Sequence, residues 1–166
     1  MSDPKKSDLY TKQLVQGAVI AALYTVLTLL LPATTAGTVE FRISEALTML
    51  AALTPSAIPG LAIGCVLANV MHGAIILDIV FGSLATLLAA VMTYLTRKNI
   101  FVAAIWPAVF NGLIIGPLLK YAYHLDASLI VLILSVAAGE AVICYLLGIP
   151  LVKGLARTNI FKHGKQ

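Results

Sequence analysis

SEALTMLAALTPSAIPGLAIGCVLANVM, Ser44–Met71, is the stretch on which the fold turns. Read as one unit, it is a single long apolar helix. Pro55 and Pro59 argue against that, because proline withholds a backbone donor and its ring clashes with the preceding helical turn. TPSAIPG, Thr54–Gly60, therefore reads as a turn between two short helices. One kinked helix gives the chain five spans, and two short helices give six.

The basic residues decide between the two. With six spans and both ends on the cytoplasmic side, Lys5, Lys6, Lys12, Arg97, Lys98, Lys153, Arg157, Lys162 and Lys165 fall inside. Only Arg42 and Lys120 then fall outside. Cytoplasmic loops carry the excess of Lys and Arg, and a five-span chain would place its basic tail on the wrong side. The expected fold is thus an all-α integral membrane protein with six transmembrane helices and both termini cytoplasmic.

Composition makes the membrane setting itself secure. Of 166 residues, 60% are hydrophobic and 11% charged, and the mean hydropathy is +0.99. A soluble domain is nearer half apolar and a quarter charged. The apolar runs fall at 13–31, 44–55, 57–71, 76–96, 101–120 and 128–150, several of them near the length that crosses about 30 Å of hydrocarbon. The run after Lys12 is too long for a signal peptide, and no small-x-small cleavage site follows it, so it reads as a retained span. The division expected is a cytoplasmic tail over 1–12, a membrane domain over 13–153 and a basic cytoplasmic tail over 154–166. The net charge of +4 follows from topology and contact with anionic lipid, and gives no support for nucleic-acid binding.

Ionisable groups inside spans are costly and usually face a cavity or a partner. In this frame they collect toward the outer half. Glu40 and Arg42 lie in the first outer loop, and Glu45 caps the outer end of span two. Asn69, His72 and Asp78 surround the next outer loop. Lys120, Tyr121, Tyr123, His124 and Asp126 mark the third. Asn111 sits near the middle of span five, and Glu140 lies about mid-membrane in span six at roughly 1.5 Å per residue. The inner loops hold nothing comparable beyond Arg97 and Lys98. The pattern describes a pocket open to the outside and lined by the later spans.

Plainer readings exist for each residue. Glu45 after Ser44 suits a helix N-terminus, Arg42 suits a loop ion pair with Glu40 or Glu45, and Asp78 suits a helix cap. Asn69 and Asn111 suit interhelical hydrogen bonds. His72 and His124 suit the interface, and Cys65 and Cys144 suit small core positions. Glu140 resists such a reading, because a mid-span carboxylate requires a partner, a proton or a ligand.

Small residues form a second pattern. Gly17 with Ala21 and Ala18 with Ala22 are overlapping small-xxx-small pairs on span one. Gly60, Gly64 and Ala68 follow on span three, and Gly112 and Gly116 on span five. Such faces permit close helix approach in lipid. No GxxxxGK[ST] loop is present, nor HExxH, GxSxG or a Cys/His cluster, so neither ATP in the P-loop manner nor a metal or other cofactor is expected. The reading is of a solute-binding membrane protein without an engine of its own. The rivals are an assembly subunit that binds no solute, and a self-sufficient facilitator or channel, which should carry polar residues on both membrane faces.

VEFRISEALTML, TPSAIPGLAIGCVLANV, LDIVFGSLATLLAA and GEAVICYLLGIPLV closely resemble the QueT family. Its members are substrate-binding S components of energy-coupling factor (ECF) transporters associated with queuosine precursors. The resemblance runs from about residue 13 to residue 153. It implies a six-helix bundle that captures a 7-deazaguanine, such as 7-aminomethyl-7-deazaguanine, from outside the cell membrane. It further implies a membrane scaffold subunit and two cytoplasmic ATPases as partners, a body that topples to present its site inward, and a docking face at Ala18 and Ala22. An S component for another vitamin or purine is the nearest competitor.

The residues suit such a ligand. A deazaguanine presents N1–H and an exocyclic amine side by side, matching one carboxylate in a two-bond arrangement, while O6 requires a donor. Glu140 with Asn111 is the expected pair on the base edge, with Glu45 and Arg42 closing from above on a lid. An aminomethyl arm is cationic and seeks a second acid, for which Glu45, Glu140 and Asp78 are available. Asn69 and Asp78 flank the same outer loop and are both counted among the binding residues, and Phe41, Tyr121 and Tyr123 are the candidates to stack on a flat base.

Overall fold

The computed structural model describes residues 4–31, 34–36 and 39–158, with side chains described over 8–31 and 41–158. Helix α1, Pro4–Leu30, is followed by strands β1, Thr34–Ala36, and β2, Val39–Phe41. A 3₁₀ helix, Ile43–Ala52, comes next, then α2, Ala57–Met71, and α3, Ile76–Leu95. The chain continues through a short α4, Ile100–Ala103, and α5, Ile105–Tyr121. Helix α6, Leu129–Ile143, passes through a π-helical turn, Cys144–Gly148, into α7, Ile149–Ala156.

Four helical stretches are long and apolar enough to cross a membrane: Asp8–Leu30, Ile76–Leu95, Ile100–Tyr121 and Leu129–Ala156. The 3₁₀ helix and α2 are apolar but shorter. Leu14, Ile76 and Leu134 stand exposed on the outer faces. In water such faces are a liability, whereas in lipid they are the expected surface.

The break within Ser44–Met71 is real but narrower than TPSAIPG suggests. The 3₁₀ helix ends at Ala52, and α2 already begins at Ala57 with Pro59 inside its first turn. A first-turn N–H has no intrahelical acceptor anyway, so proline loses nothing there. Helix α1 also begins earlier than the expected tail boundary, at Pro4.

The 3₁₀ helix is the centre of the molecule. Every residue from Ser44 to Ala51 is buried, and the helix packs against α1, α2, α3, α6 and α7. An element buried on all sides is not a surface span. At about 2 Å per residue the 3₁₀ form stretches ten residues to roughly 20 Å, a third further than an α-helix of equal length. Two apolar clusters flank it, one around Tyr24, Leu50, Leu61 and Ala90, the other around Met49, Ala104, Cys144 and Val152. Cys65 and Cys144 are free and buried.

Small residues set the helix spacing. A Cβ at Gly60 would lie 2.5 Å from the carbonyl oxygen of Gly17, and one at Gly64 would lie 2.8 Å from that of Ala21. The α1–α2 crossing therefore uses Gly17 and Ala21. Gly116 does the same for α5 against α6, where a Cβ would meet Ile133 Cγ1 at 2.6 Å. Pro107 creates an orphan carbonyl that a neighbouring helix satisfies. Pro107 cannot donate to the Ala103 carbonyl, and Thr93 Oγ1 of α3 donates to it instead at 3.1 Å.

An all-helical reading misses the hairpin. β1 and β2 pair antiparallel, with Thr34 opposite Phe41 and Ala36 opposite Val39. Threonine and valine on either side of a glycine, TTAGTVEF, carry that signal. The β2 strand packs against α6, so the first connection lies over the helix that bears Glu140.

Candidate functional site

The end of the bundle that carries the hairpin also carries the polar residues. Its wall begins with the C-terminus of α2. There the Gly73 N–H donates to the Val70 carbonyl at 3.1 Å and the Ala74 N–H to the Asn69 carbonyl at 3.0 Å. Gly73 has φ +72°, the left-handed conformation that closes a helix this way and that glycine adopts without strain. The turn delivers the chain directly into α3, with Asp78 in its first helical turn. Asp78 does not cap that helix, whose cap position is Ile75. Its Oδ2 instead accepts a hydrogen bond from the Tyr123 hydroxyl at 3.1 Å.

Around this wall lies a cavity of about 340 Å³ lined by Thr28, Arg42, Asn69, His72, Asp78 and Tyr123. The volume is at the lower end of small-molecule sites. Asn69 is buried and holds the wall together, its Nδ2 donating to the Asp78 carbonyl at 3.3 Å. Gly82, one turn along α3, leaves room for this cluster. A Cβ there would lie 3.2 Å from Asn69 Nδ2 and 3.4 Å from Asp78 Oδ1.

A second, much smaller cleft of about 10 Å³ is lined by Arg42, Asn111, Ile115, Val136 and Glu140. Asn111 and Glu140 are both buried, on neighbouring helices α5 and α6. They approach closely because α5 and α6 meet through Gly112 and Gly116. Asn111 Nδ2 has no hydrogen-bond partner among the described residues. A buried amide donor without an acceptor costs about 1–3 kcal/mol, so its presence calls for an explanation. Arg42 lines both the cleft and the larger cavity, and so joins them.

Other candidates lie elsewhere. Glu45 is not at the mouth of either cavity. It is 1% exposed. Its Oε1 accepts from the Tyr24 hydroxyl and from Thr86 Oγ1, the latter at 3.3 Å. Its Oε2 accepts from Thr48 Oγ1 at 2.8 Å. The 3₁₀ repeat, which stacks residues three apart on one face, sets Thr48 beside Glu45. Tyr24, Thr48 and Thr86 were not singled out in the sequence, although hydroxyls in apolar spans are the signal that could have found them.

Tyr121 is exposed in an apolar groove with Leu77, Phe81 and Pro117, apart from the polar cavities. Helix α5 ends at Tyr121, and Tyr123, past that end, turns inward to Asp78 instead. Phe41 is half-buried on β2 and lines neither cavity. The side chain of Glu40 lies outside the described set.

The two small pairs on α1 separate cleanly. Gly17 and Ala21 face α2, while Ala18 and Ala22 are exposed. Both pairs line an open apolar groove of about 800 Å³ with Leu14, Pro59, Ile63 and Leu67.

No curated protein and no solved structure matched the chain in comparison. A family model does match, over residues 14–157, and it takes in the hairpin, the 3₁₀ helix and every residue lining the two cavities. The chain, a membrane protein with a polar site buried among apolar helices, belongs to the QueT transporter family.

Proposed function

We propose that this protein is the substrate-binding S component of an ECF importer and captures a 7-deazaguanine queuosine precursor from outside the cell. In that reading it crosses the cell membrane six times, with both termini cytoplasmic and the hairpin end facing out. The α1 groove at Ala18 and Ala22 docks a scaffold subunit, which two cytoplasmic ATPases drive. The basic residues support the orientation, since Lys12, Arg97, Lys98 and Lys153 belong to the end of the bundle away from the hairpin.

The observation that carries the ligand class is the pairing of Asn111 with Glu140 in one cleft. The Asn111 amide is a donor in want of an acceptor, and the carboxylate beside it is an acceptor. A deazaguanine edge offers the complement, O6 to the amide and N1–H with the exocyclic amine to the carboxylate. Arg42 lines the same cleft and adds a second donor for O6. The cleft at about 10 Å³ has barely the room for one water. The ring therefore occupies the larger cavity and inserts its edge as Arg42 and the hairpin shift outward, the lid motion that capture requires.

Binding to the purified protein in detergent, measured by calorimetry, tests this. A deazaguanine should bind in preference to common vitamins. Glu140→Gln should weaken binding at least about tenfold, the loss of about 1.4 kcal/mol or more, while the variant still inserts and melts cooperatively. Undiminished affinity in Glu140→Gln would assign the base edge to another carboxylate. Preference for a vitamin would overturn the ligand class.

A further inference from the structure

The end of the bundle away from the hairpin holds cations that the chain's own acids do not neutralise. Among the described acids, Glu45, Asp78 and Glu140 are buried, and Asp126 lies in the connection between α5 and α6. Asp8 stands four residues before Lys12 on α1, the spacing at which a helix matches such a pair. Arg97 is taken up by its own helix end. Its Nη1 donates to the Tyr94 carbonyl at 2.8 Å, and its guanidinium lies 3.9 Å from the centre of the Tyr94 ring. Lys98 and Lys153 remain, both exposed and neither paired with a carboxylate among the described residues.

The seat of Lys153 is built from three elements. Its Nζ, carried on α7, lies 5.2 Å from the centre of the Phe101 ring of α4. A ring face attracts an ammonium but leaves its three N–H donors to find acceptors elsewhere. Phe101 is itself held in place. Asn99 Oδ1 accepts from the Phe101 N–H at 3.1 Å, and the Tyr145 hydroxyl of the π-helical turn donates to the Phe101 carbonyl at 2.7 Å. The Phe101 and Tyr145 rings lie beside each other, 6.5 Å between centres. Lys98 stands three residues before Phe101, on the turn that Asn99 closes. The surface beside Lys153 is open, for a Cβ at Gly154 would meet nothing within 4 Å. Toward the middle of the spans the surface is apolar instead: Ile105, one turn after Phe101, and Leu146, next to Tyr145, are both exposed.

We propose that this corner binds a phospholipid with an anionic headgroup, its phosphate between Lys98 and Lys153 and its chains along Phe101, Ile105 and Leu146. Lysine binds phosphate as a point charge, and the fixed ring under Lys153 holds that charge at the boundary between water and hydrocarbon. A zwitterionic lipid brings an ammonium group of its own, which the lysines repel. An acidic protein segment meets the lysines but cannot cover the apolar surface beside them, which faces hydrocarbon. Basic faces are drawn to anionic membranes in general without any site; here a fixed seat takes one lipid. The site is independent of what the polar cavities bind and needs only that the chain sits in a bilayer.

Native mass spectrometry of the purified full chain tests this, after release from micelles holding equal amounts of phosphatidylglycerol and chain-matched phosphatidylcholine. The wild type should retain one phosphatidylglycerol at least about fivefold more than phosphatidylcholine, the effect of roughly one lysine at a charged surface. A Lys98→Gln, Lys153→Gln double variant should bring that ratio to about twofold or less. Lys120→Gln, at the hairpin end, should leave it unchanged. Equal retention of the two lipids by the wild type would overturn the site, and so would an equal loss of preference in Lys120→Gln, which is the mark of general attraction. Displacement of the lipid by millimolar inorganic phosphate or by an acidic peptide would assign the lysines to a soluble anion and overturn the lipid. Should the double variant not fold, Lys153→Gln alone decides. Its ratio should fall at least about twofold, and an unchanged ratio would remove the seat. None of these outcomes bears on the deazaguanine reading.

Discussion

Glu45 shows how far a single carboxylate can be drawn into the interior of a membrane protein. Its two oxygens accept hydroxyl donors from α1, α3 and its own helix, through Tyr24, Thr86 and Thr48. Hydroxyls satisfy an acceptor without adding charge, which suits an apolar interior better than an exposed ion pair would. Hydrogen bonds to charged groups are worth about 1.5–3 kcal/mol each. Tyr24→Phe should therefore lower stability by about that amount. Glu45→Ala should lower it further, since Tyr24 and Thr48 then keep buried hydroxyls that have lost their acceptor. Melting midpoints in detergent measure both, and a Glu45→Ala protein that melts like the wild type would deny the cluster a structural role. Ligand affinity should fall far less than in Glu140→Gln, because Glu45 lines neither cavity. The sequence singled out Glu140 as the acid hardest to explain by packing and gave Glu45 a plainer reading at a helix N-terminus. It had no means to say that one acid faces hydroxyls and the other a cleft.

Among the elements, the helix crossings depend on positions where no side chain fits. At Gly60 even one methyl group would press on the backbone of Gly17, and a backbone neighbour cannot rotate aside as a flexible side chain can. Gly60→Ala should destabilise the protein by about 1–3 kcal/mol, the usual cost of overpacking. Gly154→Ala is the matched control, because nothing lies within 4 Å of a Cβ there. Alanine's better helix propensity should leave that protein as stable as the wild type or more so, by up to about 1 kcal/mol. Thermal melting of the pair separates steric contact from propensity, and equal destabilisation would remove the crossing from the account. The small-xxx-small spacing was legible in the sequence. Which pair on α1 turns inward was not, because Gly17 with Ala21 and Ala18 with Ala22 have the same spacing and nearly the same composition. The 3₁₀ form of Ile43–Ala52 was equally hidden: its residues are good α-helix formers, and burial on every side overrides propensity.

At the scale of the whole molecule, two concave surfaces among the described residues bear on function: the polar cavity at the hairpin end and the apolar groove along α1. They lie on different parts of the bundle, so binding and assembly should be separable. Ala18→Trp or Ala22→Trp should fill the groove and block assembly with a scaffold subunit. Calorimetric ligand affinity should stay within about twofold of the wild type. Co-purification with the scaffold and ATPases checks the first arm, and calorimetry the second. Normal transport by a Trp variant in the full complex would place the docking face elsewhere.

By itself the sequence determined the class of solvent, the positions of the apolar elements and the residue types that carry chemistry. Hydropathy, proline and charge act locally, and each leaves a mark at its own position in the chain. Tertiary structure alone decided which polar residues meet. Asn111 and Glu140 come to line one cleft between helices that meet at glycines, Tyr123 reaches Asp78 across 45 positions, and Arg42 lines two cavities that no spacing rule connects. Tyr121, two residues from Tyr123, ends up on the opposite kind of surface because a helix stops between them. Such pairings depend on helix direction and crossing, which are set by the packing of the whole bundle and not by any one stretch of sequence.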